Sequence, residues 1–124
     1  MIKIDKEKLQ ARRERFLRDP MPTRLGNLAS NLTRLKAFTQ RPEMGEAARR
    51  IVYESKHFSE WAARDASLPI QVELLALQKQ LIRWQFNWQT IWNDPQKRQE
   101  LMAQTDRWSA QILQRSGLLN PAHL

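Results

Sequence analysis

Glu54 and His57 stand three residues apart in Glu54-Ser55-Lys56-His57, which places a carboxylate and an imidazole one helical turn from each other. Used twice, and joined by glutamates from two further helices, that motif holds paired metal ions in carboxylate bundles. In this chain it occurs once. The two later helical segments offer only Glu73 and Glu100, both off their main apolar faces. The expectation is therefore a polar pair at a solvent edge and no metal site. The second histidine, His123, lies at the far end of the chain. Ser30, Ser55, Ser59, Ser67, Ser109 and Ser116 fall on helices or at caps, not on the strained elbow that exposes a catalytic serine. With Gly26, Gly45 and Gly117 as the three glycines, neither a Walker loop nor a Gly-x-Gly turn can be built. Cysteine is absent, which removes thiolate nucleophiles, thiolate metal sites and disulfides. The pieces that catalysis assembles are missing, so the reading is non-enzymatic, with no catalytic residues and no cofactor.

Two other patterns point to binding. The first is basic. Residues 1–41 carry eleven Lys or Arg against four acids, or +7 of the chain's +8. Lys6, Lys8, Arg12, Arg13, Arg15 and Arg18 concentrate this charge in an N-terminal arm. Such a cluster can release counterions from phosphates, giving salt-sensitive binding of nucleic acid or another anionic partner. Asp5, Glu7 and Glu14 interleave with it, so pairing along a solvated helix is the blander reading. No helix-turn-helix, zinc or basic-zipper pattern accompanies it. Ile2, Leu9 and Phe16 offer too little apolar area for a membrane-surface helix.

The second pattern is aromatic. Trp84, Trp88 and Trp92 are spaced by four and advance about 40° per step, so they line one helical face. They could frame a ligand pocket. Leu74, Leu77 and Leu81 extend the same line backwards with alternating steps of three and four, which favours an ordinary core seam. Trp61 and Trp108 are expected to meet it from neighbouring helices. Nearby Gln, Asn and Ser side chains are the expected partners for the indole N–H groups.

The elements that position these residues are read from periodicity and punctuation. Proline falls at 20, 22, 42, 69, 95 and 121, between segments of helical period. The arm spans about 5–18, with apolar residues only every seven positions, too thin a stripe to anchor it strongly. A first core helix spans about 23–39, with Thr23 as N-cap and Leu25, Leu28, Leu32 and Leu35 on one face. Beside them runs a strip of small residues, Gly26, Ala29, Ser30, Thr33 and Ala37, over which a neighbouring helix could pack closely. A second spans about 42–65 and buries Ala48, Ile51, Val52, Ser55, Phe58 and Ala62. A third spans about 69–92. The fourth begins with Asp94 as N-cap and Pro95 as first helical residue. It ends near 115, with Gly117 as left-handed C-cap and Leu118 or Leu119 folded back. The expected architecture is all-α: an up-down four-helix bundle over 20–119, preceded by the arm at 1–19 and followed by a tail at 120–124.

The third helix alone has two apolar faces. Val72, Leu75, Ile82 and Phe86 lie opposite the tryptophan seam. A surface helix of a small bundle needs one such face. The second must be covered by the arm, by the bundle itself or by another chain.

At 124 residues the chain matches one domain, large enough to bury roughly two-thirds of its unfolded surface. No run approaches the roughly eighteen apolar residues of a membrane span, and the N-terminus lacks a signal-like apolar stretch. A cytoplasmic location is expected.

The segment from Arg24 to Leu32 (Arg-Leu-Gly-Asn-Leu-Ala-Ser-Asn-Leu), Glu54-Ser55-Lys56-His57-Phe58-x-Glu60-Trp61, and Trp84-x-x-x-Trp88-x-x-x-Trp92 resemble small uncharacterised all-helical proteins of cyanobacteria. The resemblance covers most of 20–119. It implies a soluble intracellular protein and brings no reaction, ligand or active residue. The functional expectation is a small protein–protein interaction module that self-associates as a homodimer through Val72, Leu75, Ile82 and Phe86. The alternative is anionic-partner binding through the basic arm.

Overall fold

The computed structural model describes residues 6–118. Ile2, Lys3, Asp5, Leu119, His123 and the tail at 120–124 lie outside these. The described residues form helices α1 (Lys6–Arg18), α2 (Met21–Phe38), α3 (Gly45–Ala63), α4 (Leu68–Phe86), α5 (Trp88–Trp92) and α6 (Pro95–Ser116). A 3-10 turn, Pro42–Met44, leads into α3, and no strand is present among the described residues. The fold is all-α. α2 packs on α6 and α3, α3 on α4, and α5 on α6. The core between them is built on Leu25, Leu28, Leu32, Leu35, Val52, Leu74, Leu77, Leu81 and Ile112, all fully buried or nearly so. Each such leucine would cost about 2–5 kcal/mol on truncation to alanine.

Local chemistry sets most boundaries. Asp94 accepts the backbone N–H of Gln96 at 2.9 Å, and Pro95 follows where no N–H is needed. Gly117 ends α6 at φ 75°, the left-handed conformation that suits glycine. Leu118 then returns to α2: a Cβ at Gly26 would lie 2.7 Å from its Cδ1. The small strip of α2 thus accepts Leu118 at Gly26 and α6 further along. There the Ala29 carbonyl accepts hydrogen bonds from Thr33 Oγ1 and Ser109 Oγ, each at 3.1 Å.

Thr23 is not the cap of α2. The helix begins two residues earlier, with Pro20 as N-cap and Pro22 in the first turn. Two prolines preset the backbone there and have no N–H groups to satisfy. The expected third helix is also two helices. Asn87 interrupts it at φ −106°, ψ 20°, with its side-chain amide donating to the Arg83 carbonyl at 2.9 Å. The Asn87 backbone N–H shares the same carbonyl at 3.1 Å, so the side chain competes for the last acceptor of α4.

The arm is anchored more firmly than its thin stripe suggests. Phe16 is buried, stacked on Phe58 of α3 at 4.5 Å and tilted against Trp61 at 5.8 Å. Arg12 pairs with Glu54 at 2.5 Å, and Asn31 of α2 donates to the other Glu54 oxygen at 2.9 Å. Arg24 donates to the carbonyls of Leu17 and Asp19, closing the C-terminal end of α1. These bonds place α1 on α3, away from the outer face of α4.

Candidate protein-interaction face

The inner face of α4 places Leu74, Leu77, Leu81 and Trp84 in the core. Its outer face carries Leu68, Val72, Leu75, Lys79, Ile82 and Phe86, spaced 4, 3, 4, 3, 4. At 100° per residue these six fall within about 80° of helix circumference, a continuous heptad stripe. Among the described residues its large apolar side chains are left mostly uncovered. Leu68 is 71% exposed, Val72 59%, Leu75 48% and Phe86 85%, while Ile82 is half-buried. At roughly 150–200 Å2 per large apolar residue, scaled from the aromatic range, these fractions leave about 450 Å2 of apolar surface. A patch of that size matches the largest apolar patch of a typical monomer, roughly 300–600 Å2, which is often functional.

All four residues expected on this face are on it. Leu68 and Lys79 belong to it as well. Leu68 is missed if the helix is started at Pro69, yet its four-residue step from Val72 is the signal that places it. Flanking side chains carry little charge: Gln71, Gln78 and Gln85 on one edge, Pro69, Ala76 and Arg83 on the other. Gln71 also donates to the Ala63 carbonyl at 2.8 Å, fixing the α3–α4 connection.

The tryptophans belong to the core. Trp84, Trp88 and Trp92 are all buried, and Trp88 stacks on Trp92 at 5.2 Å. The N–H partners of Trp88 and Trp92 are backbone carbonyls, not side chains. Trp88 donates to Gly45 at 3.2 Å and Trp92 to Pro42 at 2.8 Å. Trp61 does not join them; it packs with Phe16, Phe58 and His57 between α1 and α3. Trp108 is half-buried against the core.

Beside Trp84 a groove of about 340 Å3 opens between α4, α5 and α6. Trp84 and Leu101 form its floor, and Arg83, Lys97 and Glu100 stand among its lining residues. Its lining contains no histidine and a single carboxylate, Glu100. Beyond it, Arg115 grips Glu73 through Nε at 2.9 Å and through a second guanidinium nitrogen at 2.5 Å, tying the end of α6 to the start of α4. That contact, chiefly the hydrogen bond from Arg115, holds the Glu73 carboxyl below its ordinary range.

Glu54 is occupied by Arg12 and Asn31. His57 stacks on Trp61 at 5.4 Å and meets the edge of Tyr53 at 4.7 Å. Its Nε2 is buried without a hydrogen-bond partner, and Nδ1 lies 3.9 Å from Glu60. Burial, then the Lys56 ammonium, lower its pKa against the opposing pull of Glu60. Among the described residues no three His, Cys, Asp or Glu side chains come together to hold a metal.

Four of the arm's six cations border two different grooves. Lys6 and Arg13 border one groove with His57 and Glu60, whereas Arg12 and Arg15 border another with Asn27 and Phe58. Lys8 and Arg18 are exposed. Of these six, Arg12 alone enters an ion pair among the described residues. No helix among the described residues is long and apolar enough to cross a membrane. No family model matches the chain, nor does any curated protein or solved structure.

Proposed function

We propose that this chain is a non-enzymatic interaction module. An up-down four-helix core presents the outer face of α4 to a protein partner, and self-association as a homodimer is the preferred assembly. The observation carrying this reading is the uncovered heptad stripe, with Phe86 85% exposed. The core does not need those side chains, because the opposite face of α4 already fills it. Isolated exposed apolar residues need no explanation, but five apolar residues in line along a whole helix, broken only by Lys79, support an interface. Its edges carry one charge, Arg83, and its middle carries Lys79.

The arm's docking on α3 through Phe16 and Arg12 supports a structural role for it. The test is light scattering over a concentration series. Wild type is expected to approach twice 14.7 kDa, and Phe86→Glu to remain at 14.7 kDa. A wild type that stays monomeric, with no protein captured by the α4 face, would remove the reading.

A further inference from the structure

The α4 stripe is symmetric along its own length. About position 77, Leu68 and Phe86 are each nine residues away, Val72 and Ile82 five, and Leu75 and Lys79 two. Each edge is symmetric about a neighbouring position. Gln71 and Gln85 lie seven residues either side of Gln78, and Pro69 and Arg83 seven either side of Ala76. A two-fold axis through the middle of α4 therefore superimposes the stripe on its own antiparallel copy.

Resting on the interaction-module reading above, we infer that the partner of this face is the α4 of a second copy, packed antiparallel about that axis. Two-fold pairing requires one patch to complement itself, and this one does. Leu68 meets the partner's Phe86, Val72 meets the partner's Ile82, and Leu75 meets the aliphatic stem of the partner's Lys79. Leu68, Val72, Ile82 and Phe86 each find an apolar counterpart, and Leu75 finds the lysine stem. On the edges, Ala76 faces the partner's Ala76 and allows close approach, while Gln78 faces the partner's Gln78 without charge.

Charge selects the direction. A parallel pair would set Lys79 directly against the partner's Lys79 and bring the two Arg83 side chains level. The antiparallel pair offsets the two lysines by four residues, about 6 Å along the axis, and separates the arginines further. Area is adequate: two copies of a roughly 450 Å2 patch, with their edges, reach the ~1,000 Å2 that a specific interface requires. A chain of net charge +8 repels its copy, so added salt should strengthen this dimer through screening. Binding of an anionic partner would respond in the opposite sense.

The absence of cysteine allows a direct test in the full chain. Leu68→Cys and Phe86→Cys are prepared separately and treated, alone and mixed, with a short bis-maleimide cross-linker. Val72→Cys and Ile82→Cys form a second pair, in case Phe86→Cys itself weakens association. Positions 68 and 86 lie about 27 Å apart along a helix. The antiparallel register therefore predicts several-fold more cross-linked dimer in each mixture than in either single variant. Stronger cross-linking of the single variants would overturn the register while leaving self-association intact. A dimer by scattering with no cross-link in either pair would place the contact elsewhere and overturn this inference. A wild type that is monomeric throughout would overturn the self-association reading itself.

Discussion

Gly45 opens α3 directly beneath the indole of Trp92, and adding one methyl group there tests how rigidly the aromatic end of the core is held. In Gly45→Ala the new Cβ would lie 2.6 Å from Trp92 Nε1 and 2.8 Å from Cδ1. The backbone at Gly45 (φ −57°, ψ −41°) is ordinary helix, so alanine meets no conformational penalty. On propensity alone, Gly→Ala would stabilise by at most about 1 kcal/mol. The clash acts against this. Trp92 is buried, stacked on Trp88, and bonded to the Pro42 carbonyl at 2.8 Å. It cannot move aside without disturbing all three. Overpacking of this kind costs about 1–3 kcal/mol, and a lengthened hydrogen bond adds about 1 kcal/mol. The net expectation is a loss of about 1–3 kcal/mol, or very roughly 4–10 °C in Tm for a chain of this size. Thermal and urea unfolding followed by tryptophan fluorescence would measure it. In a Trp92→Phe background the penalty should shrink, giving a coupling between the two sites. A Gly45→Ala protein as stable as wild type, or more so, would refute the reasoning.

The buried Ser55 hydroxyl has no hydrogen-bond partner, so Ser55→Ala should raise stability by about 0.5–1 kcal/mol in urea unfolding. A loss would mean the hydroxyl is satisfied. Acid should weaken the fold in two steps. His57 has a depressed pKa, so the unfolded chain takes up its proton first. Stability is full above the ordinary value of 6.5 and is lost as pH falls through the lower folded value. Glu73 is depressed likewise: its contribution is full above 4.5 and is lost on further acidification. Unfolding measured from pH 8 to pH 3 should show the first step disappear in His57→Phe and the second in Glu73→Gln.

The helices were legible where a few neighbouring residues decide them. Asp94-Pro95 and Gly117 state their caps outright, and the three-four spacing of Leu25, Leu28, Leu32 and Leu35 states its buried face. The outer face of α4 was legible for the same reason, since Val72, Leu75, Ile82 and Phe86 repeat at heptad intervals. What escaped the sequence depends on distant partners. The interruption at Asn87 accompanies two indoles bonding to carbonyls 43 and 50 residues away. Trp61 faces the arm instead of the other tryptophans because Phe16 docks against Phe58, a contact that no local pattern announces. The six basic residues looked like one cluster along the chain. On the helix, Lys6 and Arg13 border a groove on one side of Phe16, and Arg12 and Arg15 a groove on the other.

The most direct test of the central claim is the solution mass of wild type beside Phe86→Glu. Because Phe86 is 85% exposed, the substitution should leave the Tm of the monomer nearly unchanged. In a two-fold dimer each substitution removes the same contact twice. At about 2 kcal/mol per buried aromatic anchor, the loss is about 4 kcal/mol, close to a thousandfold in Kd. The account predicts a dimer mass for wild type at high concentration and 14.7 kDa for the variant under the same conditions. Equal masses for the two proteins, whether both monomeric or both dimeric, would contradict it.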